Sequence, residues 1–332
     1  MKNHKHKVRK VMVVMIGVVI IIYAILWIFS FKQYDVEMGI SYSPDYTRSL
    51  GLDHDETFEA ILSDHSPSTI RLAVPWSDVE KVQGTFDFSE IDTMIRKAGE
   101  IGTKVVLTVG QKVPRWPECY IPTWADSLDA DSKKIALLNY VKTTVNRYKN
   151  NSTIELWQAE NEPYIRFSFG HCDSFDQDVV KDEIALIKKL DPSRDIVVTD
   201  SGELSSFRRP ALAGDVLGTT LYRSIRLNNG WVFNYDWLPP AFYKLKARMW
   251  EKDHNHFYVS ELQAEPWFVG ASREFNDEKT FSPERFTENV EYAKKIGASR
   301  VYLWGAEWWY LMKKQGDARY VEKAKEIFSN TR

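Results

Sequence analysis

Between residues 36 and 330, short β-branched runs alternate eight times with longer stretches of helical periodicity, and no other feature restricts the fold as tightly. The runs are residues 36–41, 69–74, 104–109, 154–159, 195–199, 216–222, 257–261 and 300–304. Helical patterns occupy 55–63, 89–101, 131–148, 177–190, 242–252, 283–296 and 318–328. Between the fifth and sixth runs, 204–213 offers only a short or irregular helix. Such alternation predicts parallel strands with crossover helices, and eight repeats predict closure into an α/β (β/α)8 TIM barrel. Local signals agree. Ser89 is placed to cap a helix beginning at Glu90, Gly102 and Gly297 to end helices, and Pro192 after Asp191 to stop another. The rival fold is a doubly wound open sheet. It calls for a Gly-rich phosphate turn after the first strand, and Ser41-Tyr42-Ser43-Pro44 stands there instead.

No linker, low-complexity tract or internal repeat interrupts residues 36–330, so they are expected to form one catalytic-size domain. Ahead of them lie a basic tail, residues 1–10, and an uncharged apolar segment, residues 11–31. As a helix that segment rises about 31 Å, which matches a hydrocarbon core of about 30 Å. A cleaved signal peptide is the competing reading. It usually has a shorter apolar region and a small-residue cleavage site, whereas Trp27, Phe29 and Phe31 crowd this exit like an interfacial aromatic belt. An uncleaved single-pass transmembrane helix is therefore expected. Lys2, Lys5, Lys7, Arg9 and Lys10 before the span, against Lys32 alone just after it, put the amino terminus in the cytoplasm and the domain outside. Because the first strand begins within a few residues of the span, the amino ends of the strands are expected near the bilayer, with the opposite face turned outward. A net charge of -2 makes no case for nucleic acid as a partner. The 12 Trp suit either a large core or stacking on sugar rings.

In a barrel of this kind the reacting residues sit at the carboxyl ends of strands. The fourth run ends Gln158-Ala159-Glu160-Asn161-Glu162-Pro163 and the seventh ends Ser260-Glu261, with room for three βα units between. Asn-Glu-Pro after strand four, paired with a Glu closing strand seven, resembles the clan A type of retaining (β/α)8 glycoside hydrolases, which includes cellulase-, xylosidase- and β-galactosidase-type enzymes. The resemblance implies Glu162 as acid/base, Glu261 as nucleophile and Asn161 as a ligand of the sugar 2-hydroxyl. The chemistry needs both carboxyls: one ionised to attack the anomeric carbon, one protonated to release the leaving group, about 5–5.5 Å apart. It further implies that Arg71 holds the nucleophile, that Tyr222 hydrogen-bonds it, and that Trp304 floors the sugar site. Trp76, in Pro75-Trp76-Ser77, resembles the loop before the second helix of these enzymes and is taken as a substrate residue. The His that many members carry near strand three or six is missing from Gly110-Gln111-Lys112 and Leu221-Tyr222-Arg223.

Bland readings stand beside these. Arg71 could be an ordinary strand-end ion pair, and Trp304 a core Trp at the barrel rim. Glu160, Glu265, Glu203 and Glu307 are read mainly as structural or rim acids, while Trp116, Trp267, Trp308 and Trp309 are placed in rim loops as stacking candidates. Cys119 and Cys172 fall in the loops after strands three and four, so a disulfide across the top of the barrel competes with two unpaired thiols. No metal-binding spacing stands out among the His, and glycosidic cleavage calls for no cofactor. The expected partner is a carbohydrate, with a lipid bilayer around the amino-terminal helix. A transglycosylase using the same residues and a non-catalytic glycan-binding barrel are the alternatives.

Overall fold

The computed structural model describes residues 2–165, 170–172, 175–227, 229–267 and 277–330. Its centre is a closed parallel barrel. The strands are β1 (Glu37–Ser41), β2 (Thr69–Ala73), β3 (Lys104–Val109), β4 (Ile154–Ala159), β5 (Ile196–Ser201), β6 (Val216–Leu221), then β9 (Phe257–Gln263) and β10 (Arg300–Trp304). A two-stranded antiparallel hairpin, β7 (Ser224–Arg226) and β8 (Val232–Asn234), stands between β6 and β9. All neighbouring barrel pairs are parallel, and β1 closes against β10. The eight runs read from sequence are these eight strands, with ends shifted by a residue or two.

Alternation sorts the side chains between two cores. Val106, Leu156, Val197, Val216, Tyr258 and Tyr302 fill the barrel interior as one apolar layer. Their sequence neighbours Val105, Trp157, Val198, Leu217, Val259 and Val301 point outward into the larger core beneath the helices. Gly39 makes the inner layer possible: a Cβ there would stand 2.7 Å from the Tyr302 ring.

One irregularity sets up the site. Pairing of β9 shifts by one residue against both β6 and β10, between Val259 and Leu262. The extra residue is a β-bulge. Tyr258 faces inward and Val259 outward, so unbroken alternation would turn Ser260 in and Glu261 out toward the helices. With the bulge, Glu261 meets Arg71 inside the barrel, and such re-aiming is what bulges do beside active sites.

The helices follow the pattern with local differences. Ser89 begins its helix rather than capping it, and Asp87 Oδ1 accepts the Ser89 N–H at 2.9 Å. Gly102 and Gly297 have φ of 82° and 86°, the left-handed geometry expected at helix ends. The weak segment after β5 contains a helix only at Arg208–Ala213. A helix not anticipated, Ala306–Lys314, follows β10 and carries Trp308 and Trp309 fully buried, which corrects their placement in rim loops.

The amino-terminal helix, α1 (Lys2–Phe29), contains a 24-residue stretch, His6–Phe29, long and apolar enough to cross a membrane or to be a signal sequence. Its junction with the barrel differs from expectation. Ser30 Oγ accepts the N–H of Ala241, and the Tyr23 hydroxyl donates to the Trp237 carbonyl, both beyond the carboxyl end of β6. The chain then descends the flank, where Tyr34 N–H bonds Lys294 O, before Glu37 opens β1 at the other end. The short connector spends its reach on that descent. The helix therefore stands beside the carboxyl ends of the strands, not beneath their amino ends.

Candidate active site

The two glutamates arrive at the same end of the barrel by different local devices. Glu261 is aimed by the bulge in β9. Glu162 follows β4 through a turn in which Glu160 and Glu162 hold φ of 59° and 45°, left-handed values that non-glycine residues adopt at a cost of roughly 1–3 kcal/mol and that cluster at functional sites. Neighbouring groups hold that turn in place. Glu160 accepts the backbone N–H of Gln111 at 2.8 Å and that of Lys112, which latches the β3 loop to the β4 loop. Gly110, at φ 129°, allows this approach: a Cβ there would lie 2.4 Å from the Glu160 carboxyl carbon. Glu160 is thus a structural latch, and Thr199 Oγ1 accepts the Glu162 N–H at 2.8 Å.

Arg71 joins the constellation as the resemblance implied. Its Nη1 donates to Glu261 Oε1 at 3.0 Å, Nη2 to Asn161 Oδ1 at 2.7 Å and Nε to Gln158 Oε1 at 2.7 Å. A guanidinium with a side-chain exposure of 1% has each nitrogen satisfied, which removes the main penalty for burying it. The second oxygen of Glu261 accepts the Tyr222 hydroxyl at 2.7 Å. With both oxygens engaged, the carboxylate has one orientation. Glu162 has a different environment: Thr220 Oγ1 donates to its Oε1 at 3.0 Å. Burial first, and the charge of Glu261 second, push its pKa up to about 8. The structure therefore sets Glu261 against a guanidinium and holds Glu162 in surroundings that raise its pKa.

Gln158, Thr199 and Thr220 were not singled out from sequence. Gln158 and Thr199 lie two residues along from the inward Leu156 and Val197, and Thr220 four along from Val216, so strand alternation carried the signal. Arg115 had none. It sits in the β3 loop at φ 82°, with its guanidinium 3.8 Å from the Tyr46 ring centre and 3.9 Å from that of Trp304. It pairs with Glu265 and, at 3.1 Å, with Glu307. Tyr46 closes the cluster with a 2.7 Å bond to Glu265 Oε2, and Glu307 also accepts the Ser43 N–H at 2.7 Å. Glu265 and Glu307 are buried clamps on this arginine, and Trp304 carries it on its ring. A crevice beside the cluster is lined by Ser41, Arg71, Arg115, Tyr120 and Trp304.

Trp76 is not brought to the site. It is fully buried, donates through Nε1 to Glu80 at 2.7 Å and stacks on Tyr140, so it belongs to the core. Trp267 reaches the rim, edge-on to Tyr222 at 5.0 Å between ring centres. Trp116 is 59% exposed on the β3 loop beside His171. Glu203 accepts the Tyr243 hydroxyl at 2.7 Å. Cys119 and Cys172 form a disulfide with Cα atoms 5.2 Å apart, which ties the β3 and β4 loops together.

No protein-family model matches the sequence, and no curated protein is significantly similar to it. Solved structures do match the fold. A β-galactosidase from the psychrophilic Marinomonas ef1 aligns at TM-score 0.59 and 12% identity, over 89% of this chain and 59% of that one. A cold-adapted β-galactosidase from Rahnella sp. R3 aligns at 0.63 and 13%, over 91% and 56%. An exo-β-1,4-mannosidase from Opitutaceae bacterium strain TAV5 aligns at 0.60 and 15%, over 89% and 60%. The chain spans less than two thirds of the length of each. At these identities the likeness is one of fold, and the fold is the barrel of such glycosidases.

Proposed function

We propose that the chain is a retaining glycoside hydrolase, anchored by α1 in a membrane with its barrel on the extracytoplasmic side. One observation carries the catalytic part: Glu261, fixed by Arg71 and Tyr222, stands close enough to Glu162 for its charge to help keep Glu162 protonated. Two carboxyls at one end of a barrel, one against a guanidinium and one with its pKa raised, suit double displacement. Glu261 attacks the anomeric carbon while the bond from that carbon to the leaving oxygen breaks and Glu162 gives this oxygen its proton. Water then attacks the glycosyl ester. Glu162, now the base, takes a proton from that water, and Glu261 leaves as the free carboxylate.

Asn161 binds the sugar 2-hydroxyl in this reading. Its carbonyl oxygen is occupied by Arg71 and, at 3.3 Å, by Thr199, so its NH2 is what it has to offer. Trp267 and Trp116 are the rim rings on which neighbouring sugars stack, and Trp304 bounds the crevice behind Arg115. A β-linked substrate is favoured by the fold's likeness to β-galactosidases and a β-mannosidase. No cofactor enters any step. The membrane part rests on the apolar length of α1 and on the basic residues before it.

A panel of aryl β-glycosides and polysaccharides, given to the full chain in detergent or vesicles, tests the reading. One or more should be cleaved, with Glu162→Gln and Glu261→Gln each lowering kcat/KM by roughly 10²–10⁴-fold or more. Wild-type turnover in both variants would refute it.

A further inference from the structure

The loop between β6 and the helix Ala241–Arg248 projects apolar side chains that none of the described residues covers. Trp231 is 74% exposed and Trp237 54%, and Leu227 and Phe233 are exposed beside them. Single exposed apolar residues are ordinary; four on one short loop are not. The same loop is joined to α1. Tyr23 donates its hydroxyl to the Trp237 carbonyl at 2.6 Å, and Tyr23 lies six residues before Phe29, the last residue of that helix. Six residues of helix rise about 9 Å, so the loop reaches about that far along α1 from its outer end. Interfacial elements sit about 5–10 Å into the headgroup–acyl boundary. Tyr23 and Trp27, edge-on at 6.3 Å, supply the aromatic pair typical of that level.

The charges at the base of the hairpin are consistent with contact to lipid. Asp236 is paired with Arg285 at 2.8 Å and with Arg223 at 3.3 Å, and Arg226 is paired with Asp277. The hairpin closes its own backbone: β7 pairs with β8, and the Leu227 N–H bonds Trp231 O at 2.8 Å. An element with its charges paired and its rings outward meets a bilayer at a lower desolvation cost than one with free charges.

We infer that the β7–β8 hairpin and the turn through Trp237 seat in the outer leaflet of the membrane that α1 spans, so that the catalytic end of the barrel borders the lipid surface. This rests on the reading of α1 as a membrane anchor. The occupant of the apolar surface is lipid, because the chain's own helix fixes the bilayer at the height of Trp237.

The test places an environment-sensitive fluorophore on single cysteines of the full chain, kept oxidised so that Cys119 and Cys172 stay paired. The variants are Gly17→Cys within α1, Trp231→Cys and Trp237→Cys on the loop, and Ile135→Cys on an exposed helical face of the barrel. Each is reconstituted in phosphatidylcholine–phosphatidylglycerol vesicles with or without nitroxide-labelled lipid. The expected result is quenching at positions 231 and 237 by shallow nitroxides, at least about twofold stronger than at 135, and quenching at 17 by deep ones. Quenching at 17 with positions 231 and 237 matching 135 overturns the docking and leaves the anchor standing. Loss of quenching at 17 overturns the anchor and the docking with it. A blue shift at 231 and 237 that follows protein concentration and ignores the nitroxides would assign the surface to a second copy of the chain and likewise overturn the inference.

Discussion

Glu162 carries its proton into the alkaline range because two penalties on its anion coincide, burial and the charge of Glu261. The hydrogen bond from Thr220 works against both by stabilising the carboxylate. Thr220→Val should therefore raise the pKa of Glu162 and move the basic limb of kcat/KM, expected near pH 8 in the wild type, to higher pH. A limb that stayed put or moved down would show that another group governs it. The same shift predicts a stability effect. Between its ordinary value of 4.5 and about 8, Glu162 is protonated in the folded chain and ionised in the unfolded one, so the folded state binds more protons and stability falls as pH rises through that window. Glu162→Gln removes this burden. Its denaturation midpoint should match wild type near pH 4 and exceed it at pH 8, by on the order of a few kcal/mol in stability. At this scale the sequence was informative where a motif and a strand end coincided, as at Asn161, Glu162, Glu261, Arg71 and Tyr222. It was silent on Arg115, whose position depends on loop geometry.

At the scale of elements, Arg115 ties four βα loops together. It comes from the loop after β3, Tyr46 from the helix Pro44–Ser49 after β1, Glu265 from the end of β9, and Glu307 from the helix after β10. Its charge is what permits two glutamates to be buried there, and Glu307, pushed up by burial and drawn back by Arg115, still rests at about 7. Arg115→Met should cost about 3–5 kcal/mol by taking the guanidinium away from both buried carboxylates. Adding Glu265→Gln and Glu307→Gln should return much of that loss, measured by urea unfolding at pH 7. No recovery in the triple variant would mean that the stacking on Tyr46 and Trp304, rather than the ion pairs, sustains the cluster. Sequence periodicity located the long helices because each has one buried and one wet face, while the eight strands, buried on both faces, stood out as short β-branched runs. It missed Ala306–Lys314 for the converse reason: residues 306–312 are all buried, so no polar face marks the helical period. The hairpin strands, three residues each, are too short to show alternation.

At the scale of the whole molecule, the connector after α1 determines which way the candidate site looks. Tyr34, bonded through its backbone to Lys294 and stacked on His254, pins residues 30–36 to the flank as they run from the carboxyl-terminal end of the barrel toward the start of β1. Chain length alone suggested the opposite orientation, because it bounds how far β1 can lie from the helix but not which direction the intervening residues take. If α1 spans a bilayer, Glu162 and Glu261 open beside lipid, and the glycans within reach are those held at the surface. The prediction uses whichever sugar the glycoside panel identifies, attached to a lipid through either a short or a long flexible spacer, with full-length protein in the same vesicles. A site bordering the bilayer should cleave the short-spaced glycoside at least as fast as the long-spaced one. A site facing away should cleave the long-spaced substrate and spare the short, since the body of the barrel would stand between the pair and the surface. Inserting about ten Gly/Ser residues after Phe31 separates orientation from simple tethering. Combined with Tyr23→Phe, Ser30→Ala, Trp231→Asp and Trp237→Asp, which remove the contacts of this end with α1 and with lipid, it keeps the barrel at the membrane but frees it to rotate, so the short-spaced advantage should fall while cleavage of a soluble aryl glycoside is unchanged.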